Sequence, residues 1–401
     1  MQPISNLQRQ RPEGNIKRVL SEIVLCGPLP RSEIAQRIGI TQASVSRITR
    51  NLLDTGLIQE TGHFPDDPKL GRRRIGIGVC PDGGYFAGIA INAFRQDVAI
   101  SNMANESIAE SRIQFAELED ADNVLNTCVQ ALVQLIDESS INPGQLFGCG
   151  VSISGAVDPH QGRLRDSPTL GWKDVDVRTP IQSILDLPVA IESIPNAKNF
   201  AARCFGPAKH LDNVVLFNCS LAVGSSVIAD GTLLRGADSN VGLIEKLLIP
   251  DAGSAGTLAP LDSVAGGYAI IDNPASSDST AEFTMAQNLM DVIRRDSNQI
   301  TGAIRLLEEA GRGLAYAIMA ANSFLHPQMI LLSGPLIESP TYRNAVVEET
   351  AKLIDRQFAE SKLKFFSISS HEAAHSLAIH YYLHEIGEMS KIPTVGKRAV
   401  A

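Results

Sequence analysis

One segment of the chain matches a known pattern for a catalytic metal. His371, Glu372 and His375 form H-E-x-x-H, which on a helix places two imidazoles on one face beside a glutamate. The extended pattern needs a third histidine, but Tyr381 stands there, with His380 and His384 nearby. The segment is predicted to be the last helix of a large domain, after a strand at 364–368. We therefore expect a structural or solvent-facing histidine cluster and no metal site, with a metal hydrolase as the alternative.

A second group of residues, near the N-terminus, is suited to reading DNA. These residues share one side of a predicted helix, and none of them is acidic, as contacts with base edges and phosphates require. They are Gln42, Ala43, Ser46, Arg47 and Arg50.

Three helices and a hairpin would position that surface. Asn15 can cap a first helix, and Gly39 and Thr41 form the turn between a second helix at 31–38 and a third. Helix, glycine turn and helix form the helix-turn-helix plan. A strand at 57–60, a polar loop and a return strand predict a wing, with three arginines at its tip: Arg72, Arg73 and Arg74. The alternative is a basic three-helix module that docks onto a protein.

Charge is distributed unevenly along the chain. Residues 1–75 hold 12 Lys/Arg against 7 Asp/Glu, so this part carries +5 within a total of −9. A basic head on an acidic body favours a DNA contact through the head, because phosphates repel the body. A solvated basic surface would give the same count.

Composition bounds the class of protein. At 401 residues, 44% hydrophobic and 20% charged, the chain has enough apolar material for two or three folded domains. No apolar run approaches the ~20 residues that span a bilayer, and the N-terminus has no signal pattern. The six cysteines are scattered, which favours reduced thiols. We expect a cytoplasmic protein without a membrane partner.

The pattern changes after residue 80. Strands are predicted at 85–91, 97–101 and 106–115, followed by a helix at 123–136 and a strand at 147–153. A related series begins at 214–219 and continues at 223–229 and 232–235. Two β-rich openings followed by helices predict a duplicated, two-lobed α/β domain with a cleft between its lobes.

The chain resembles the ROK family of repressors and sugar kinases. The stretches that carry the resemblance are the helix-turn-helix with its Gly-Arg wing, Gly150–Asp158, Leu187–Asn196, Asp230–Ala237 and Asn322–Gly334. The resemblance implies an α/β protein in which a winged helix-turn-helix at 1–80 precedes a two-lobed, actin-like ATPase fold at 81–401. The first lobe would cover about 81–205 together with the C-terminal helix, and the second about 206–380.

The catalytic motifs of the family's kinases are degenerate. The Asp-x-Gly-Gly-Thr phosphate loop is replaced by residues 90–95, which lack the acid and the glycines, and Leu221 stands in the second phosphate loop. Matching Glu192 and Asn196 to the family pattern places Ile194 at the catalytic aspartate, and isoleucine accepts no proton. We expect no enzyme, no catalytic residue and no cofactor.

The sugar contacts are also altered. Leu243 and Lys246 replace the family's sugar-binding glutamate and its histidine, and 253–263 contain no cysteine for the family's zinc. The resemblance leaves five candidate effector-binding residues: Thr169, Ser193, Asn196, Lys246 and Asp262. Loss of polar groups weakens a hydroxyl-binding pocket, so the ligand is a sugar derivative, another small or anionic molecule, or none.

The function implied by the resemblance is transcription regulation, most simply repression of genes for carbohydrate uptake or use. The expected partners are a double-stranded DNA operator, a small-molecule effector and further copies of the chain in a homodimer or homotetramer. Two alternatives stay open, namely a divergent kinase or metal-dependent enzyme, and a constitutive DNA-binding dimer without an effector.

Overall fold

A computed structural model describes residues 12–63, 74–115, 118, 120–251, 256–271 and 285–385. The N-terminal region consists of α1 (Pro12–Cys26), β1 (Leu29–Pro30), α2 (Arg31–Ile38), α3 (Gln42–Asp54), β2 (Ile58–His63) and β3 (Ile75–Val79). The three strands form an antiparallel sheet in the order β1-β3-β2. This arrangement is a winged helix-turn-helix, as predicted.

Local capping explains the helix-turn-helix. Gly39 has a φ of 69°, a left-handed conformation that glycine adopts without steric cost, and it ends α2. The Thr41 side chain then accepts a hydrogen bond from the Ser44 backbone N–H at 3.2 Å and begins α3. The predicted start of α1 at Asn15 was wrong, because the helix already begins at Pro12, a residue suited to a first turn.

The first lobe, lobe I, is a five-stranded sheet with helices on both sides. Its elements are β4 (Tyr85–Ile91), β5 (Gln96–Asn102), β6 (Ser107–Ile113), α4 (Ala121–Glu138), β7 (Leu146–Ile153), β8 (Ala156–Asp158), β9 (Arg163–Ser167), β10 (Trp172–Asp176), α5 (Arg178–Leu185), β11 (Val189–Ser193) and α6 (Ile194–Cys204). The sheet order is β11-β7-β4-β5-β6, and β8, β9 and β10 form a small separate sheet.

The second lobe, lobe II, repeats that plan. Its elements are β12 (Val214–Cys219), β13 (Val223–Ala229), β14 (Thr232–Leu233), β15 (Leu248–Pro250), β16 (Leu258–Pro260), α7 (Asp262–Ala265), α8 (Gly267–Ile271), α9 (Met285–Ser297), α10 (Thr301–Leu325), β17 (Met329–Ser333), α11 (Pro340–Leu353), α12 (Arg356–Ser361) and β18 (Leu363–Phe365). In both sheets the first strand is central, the next two are antiparallel on one side, and the last two are parallel on the other. The predicted duplication is therefore present.

The chain finally returns to lobe I as α13 (Ser370–Glu385). The strand predicted at 364–368 is shorter, since its last ladder bond joins the Phe366 N–H to the Leu332 carbonyl and the chain then turns towards α13. None of the described helices combines the length and apolar character needed to cross a membrane.

Helix α13 also joins the winged helix to lobe I in one core. Phe86 of β4, Phe147 of β7 and Tyr382 of α13 form an aromatic group with ring centroids 4.9–6.0 Å apart. The same buried cluster contains Leu20 of α1 and Leu52 of α3. The predicted domain boundary at residue 80 thus falls inside a core that both sides share.

Two strand glycines allow α13 to lie directly on the sheet. A Cβ at Gly88 would be 2.4 Å from the His375 ring, and one at Gly150 would be 1.9 Å from the Ala374 carbonyl oxygen. Interiors are packed at crystal density, so neither position has room for a methyl group.

We expect Gly150→Ala to destabilise the protein by about 3 kcal/mol or more, because its Cβ meets helix backbone that has no space to retreat. Urea-induced unfolding monitored by circular dichroism would measure the change. Gly302→Ala is the matched control, since nothing lies within 4 Å of that Cβ. Equal unfolding midpoints for the two variants would contradict this account of the α13 contact.

Candidate DNA-reading surface and cleft cavity

The predicted DNA-reading residues form one surface on α3. Gln42, Ala43, Arg47 and Arg50 are exposed and Ser46 is partly buried, while Val45, Ile48 and Leu52 on the other side are buried in the core. Neither Arg47 nor Arg50 forms an ion pair with any residue that the structure describes. Their guanidinium groups point into solvent, where a nucleic acid could reach them.

The other arginines of the helices serve internal contacts. Arg31 donates to Thr49 Oγ1 and to Glu60 Oε1, both at 3.0 Å. Arg37 pairs with Glu22 at 3.2 Å and with Glu33 at 2.8 Å. The positive charge of the N-terminal region therefore overstates the charge offered to a partner.

The wing is an antiparallel hairpin of β2 and β3 in which His63 is opposite Ile75. Arg74 is exposed directly before β3. The other two predicted wing residues, Arg72 and Arg73, lie outside the described residues. The hairpin leaves the three-helix unit beside α3, which it contacts through β2.

A cavity of about 190 Å³ lies between the lobes, and we call it the cleft cavity. Lobe I contributes Thr169 together with Ser193 and Asn196 at the start of α6, and lobe II contributes Asp262. Four of the five predicted effector residues are thus brought together from segments almost 100 positions apart in the sequence.

The fifth predicted residue, Lys246, is exposed and does not line the cleft cavity; its neighbour Glu245 does. The expectation of an anionic ligand based on Lys246 therefore loses its support. Sequence reasoning also missed Asn218 and Ser225, which line the cavity from β12 and β13. Both are buried polar residues within otherwise apolar strands. Nothing in their local sequence indicates that they border a cavity.

A buried carboxylate organises the lobe I side of the cavity. Glu192, 2% exposed, accepts a hydrogen bond from Asn196 Nδ2 at 2.9 Å and forms an ion pair with Arg235 of lobe II. A second bridge between the lobes runs from Arg165 Nη1 to the Asp238 carbonyl at 2.9 Å. Asn196 uses one of its two amide N–H groups for Glu192, so its carbonyl oxygen and its second N–H are the groups it can offer to a ligand.

Comparison with known proteins decides the family. The ROK family model matches residues 56–378, and a winged helix-turn-helix DNA-binding model matches residues 13–59. The chain belongs to the ROK family. It is 22% identical to the xylose repressor of Bacillus subtilis, over 86% of this chain and 89% of that one, and 23% identical to the transcriptional dual regulator NagC of Escherichia coli, over 78% of each chain.

Solved ROK structures have the same fold. A ROK family transcriptional regulator, described as a homologue of the Escherichia coli MLC protein, matches with a TM-score of 0.74 at 21% identity, over 96% of this chain and 99% of that one. A ROK hexokinase from Thermus thermophilus matches with a TM-score of 0.58 at 19% identity, over 75% of this chain and 98% of that one. The predicted fold class is confirmed.

In this ROK chain the kinase positions have other roles. Ile194, at the catalytic aspartate of the family pattern, is 5% exposed and lines the cleft cavity. In place of the first phosphate loop, Asn92 Oδ1 accepts hydrogen bonds from the Phe94 and Arg95 N–H groups at 2.8 and 3.2 Å. In the family's kinases, glycines at this turn leave the backbone N–H groups free to bind a phosphate. Here both N–H groups are hydrogen-bonded to Asn92 within the turn.

The H-E-x-x-H segment is part of the packing of α13. Glu372 accepts from the Ser369 N–H and hydroxyl at 2.8 and 2.7 Å and donates its own N–H to Ser369, which is a capping box. His371 Nε2 lies 3.3 Å from Glu110, and burial lowers the pKa of the fully buried His375 to about 3. Of the two forms expected for this cluster, structural or solvent-facing, the structure shows the structural one, because the helix turns both rings into the sheet.

No described set of His, Cys, Asp and Glu side chains is grouped to hold a metal ion. The donors of the family's zinc do not fit here either. Lys246 stands at the histidine position, and the cysteines nearest in sequence, Cys204 and Cys219, are buried in lobe II or beside it. An ammonium group repels a cation, so the residues present do not make a zinc site.

Asp262 lines the cleft cavity, and its pKa is raised above the ordinary value of an aspartate. Burial raises its pKa to about 6, and the nearby Glu245 carboxylate adds to the rise, while a 2.7 Å hydrogen bond from the Val223 N–H opposes it. Two carboxyl groups therefore face the same small cavity, and the buried one costs free energy when it is ionised.

We expect Asp262→Asn to stabilise the protein at pH 7.5 by roughly 1–2 kcal/mol, because the amide oxygen keeps the Val223 bond without the buried charge. A raised native pKa means that the stabilising effect of protonation is present below pH 4 and is lost as pH rises through 6. The advantage of the variant should accordingly disappear between pH 7 and 4 in thermal melts. Exposed Asp238→Asn is the control, and a pH-independent difference would contradict the assignment.

Proposed function

We propose that the chain is a DNA-binding transcription regulator, a repressor of genes for carbohydrate uptake or use. The observation that carries the proposal is the exposed surface of α3, where two arginines that form no ion pair with the described residues stand beside small and amide side chains. Arginine and glutamine are the side chains that read guanine and adenine in the major groove. The relatives' names, xylose repressor and transcriptional dual regulator NagC, also support a role in transcription regulation.

The mode of binding follows from the helix-turn-helix. We propose that Gln42, Ala43, Ser46, Arg47 and Arg50 enter the major groove and that Arg72, Arg73 and Arg74 of the wing contact the backbone or minor groove. Two copies would place their α3 helices in successive grooves of a near-palindromic site. We therefore propose a homodimer, or a homotetramer built from two dimers.

The cleft cavity is the proposed effector site, through Thr169, Ser193, Asn196 and Asp262. Closure of the two lobes on an effector would be transmitted to the DNA-binding head through α6. That helix begins in the cavity, and the residue after it, Phe205, packs against the core that α1 and α13 share. An effector that binds the open and closed forms with different affinity would change the separation of the two α3 helices.

We propose that the protein is not an enzyme, because the candidate site lacks a base at Ile194. A kinase with relocated catalysis would consume ATP when offered a sugar, and a hydrolase on α13 would bind zinc stoichiometrically. Either result with purified protein would overturn this part of the proposal. A constitutive repressor without effector is the remaining alternative, and a panel of sugars, sugar phosphates and polyols without any thermal shift would favour it.

We expect Arg47→Ala to weaken operator binding by ~1–3 kcal/mol, since it removes a direct base or phosphate contact. The operator would first be identified by capturing bound genomic DNA and sequencing it. Fluorescence anisotropy on that duplex and on a scrambled one would then measure both affinity and specificity.

The matched control is Arg305→Ala, an exposed arginine on α10 of lobe II. It should bind the operator as the unaltered protein does, and both variants should melt at the same temperature. Wild-type affinity for Arg47→Ala would exclude the α3 surface as the reading surface.

A further inference from the structure

The cleft cavity is lined by several carboxylates and, among the residues that the structure describes, by no basic side chain. Asp166 of β9 lines it from lobe I, and Glu245 and Asp262 line it from lobe II. Its volume of about 190 Å³ is below the ~300–1,000 Å³ of most ligand pockets, so a ligand there must be small. Carboxylates gathered around so small a cavity favour a positively charged ligand.

The three carboxylates are not neutralised by the protein itself. None of them forms an ion pair within the described part of the chain. Asp262 Oδ1 accepts a hydrogen bond from the Val223 N–H at 2.7 Å, and its Oδ2 has no partner among the described residues. The buried Glu192, which does not line the cavity, differs because it is paired with Arg235.

A buried amide in the same wall also lacks part of its hydrogen bonding. Asn218 is 8% exposed, and its Oδ1 accepts from Lys198 Nζ at 2.9 Å. Its amide N–H groups have no partner among the described residues, so an oxygen of a ligand in the cavity would satisfy them. Lys198 itself does not line the cleft cavity, since it contributes to the wall of a different one.

We propose that the cleft cavity takes a small organic cation, a protonated amine that also carries a hydroxyl group. The ammonium group would donate to Asp262 Oδ2 and to Glu245, and the hydroxyl oxygen would accept from Asn218. Ile194 and Leu243, also in the wall, would pack against the carbon atoms of the ligand. The inference rests on the proposed role of the cleft cavity as the effector site, and it names the chemical class of that effector.

A neutral sugar or an anion suits this wall less well. Burial and the Glu245 charge raise the pKa of Asp262 to about 6, which shows that the ionised carboxylate is poorly compensated there. A neutral ligand would leave that charge as it is, and an anion would add a further like charge. An ammonium group would compensate it through charge-assisted hydrogen bonds, which are roughly twice as strong as neutral ones.

The carboxylates belong to both lobes, so the cation would also act on the lobe angle. Asp166 is part of lobe I, whereas Glu245 and Asp262 are part of lobe II, and like charges on the two sides of a cleft oppose its closure. An ammonium group between them would replace this repulsion by attraction. An amine would therefore bind the closed form more tightly than the open one.

Isothermal titration of the full-length, DNA-free protein at pH 7 tests the charge preference. The probes are two matched pairs, D-glucosamine with D-glucose and ethanolamine with ethylene glycol, in which an ammonium group replaces a hydroxyl. We expect at least one amine to bind about tenfold or more tightly than its neutral counterpart. Failure of both amines to bind, or no preference for the amine in either pair, would overturn the inference.

Asp262→Asn should weaken the binding of that amine about tenfold and leave the affinity of its neutral counterpart unchanged, a split that a general loss of structure would not produce. Glu245→Gln, at the more accessible carboxylate, should weaken it about threefold. The matched control is Asp186→Asn, because Asp186 is exposed at the end of α5 and has a left-handed conformation that asparagine also adopts.

The control variant should bind the amine as the unaltered protein does. Unchanged amine affinity in Asp262→Asn would place the ligand elsewhere and refute the assignment. A neutral probe that binds as tightly as its amine would also refute it, although the cleft cavity would then remain an effector site for an uncharged ligand. Operator binding is measured separately, so either result leaves the α3 assignment untouched.

Discussion

The contact on which the structure depends is that of α13 with the sheet of lobe I. It requires Gly88 and Gly150, because any side chain there would occupy the space of the helix. The same helix carries Ile379 and Leu383 into the core of the winged helix. The DNA-binding head is therefore packed on lobe I and does not hang from a linker. A rotation of lobe I moves α3 with it, which gives interlobe motion a direct effect on DNA-reading geometry.

Lobe II is held to that unit by fewer polar contacts, among them the Glu192–Arg235 ion pair and the hydrogen bond from Arg165 to Asp238. Separation of the Glu192–Arg235 pair would leave a buried carboxylate without its partner, so this contact opposes opening of the lobes. The cleft cavity borders this interface. A motion between the lobes would leave the head on lobe I, because α13 shares a core with both.

Much of the fold could be predicted from the sequence, because its signals are local. The bounds of α2 and the start of α3 follow from Gly39 and Thr41, and β4, β12 and β13 follow from runs of apolar residues. The cleft cavity was partly predictable, since Thr169, Ser193, Asn196 and Asp262 align with family positions. Lys246 was misplaced, since its side chain is exposed and the preceding residue, Glu245, lines the cavity.

The kinase motifs of this chain are altered, whereas its two lobes are preserved, and one physical argument accounts for both. Catalysis needs a base within reach of one oxygen, and an isoleucine in place of that base, as proposed for Ile194, would remove the reaction at a single position. Conformational response needs only a cavity whose walls belong to both lobes and a ligand that prefers one arrangement. Asp262, at the cleft cavity, is a partly buried carboxyl group whose pKa is raised to about 6, chiefly by burial. A ligand that bound one arrangement of the lobes better than the other would act on α3 through the core that α13 shares with the winged helix.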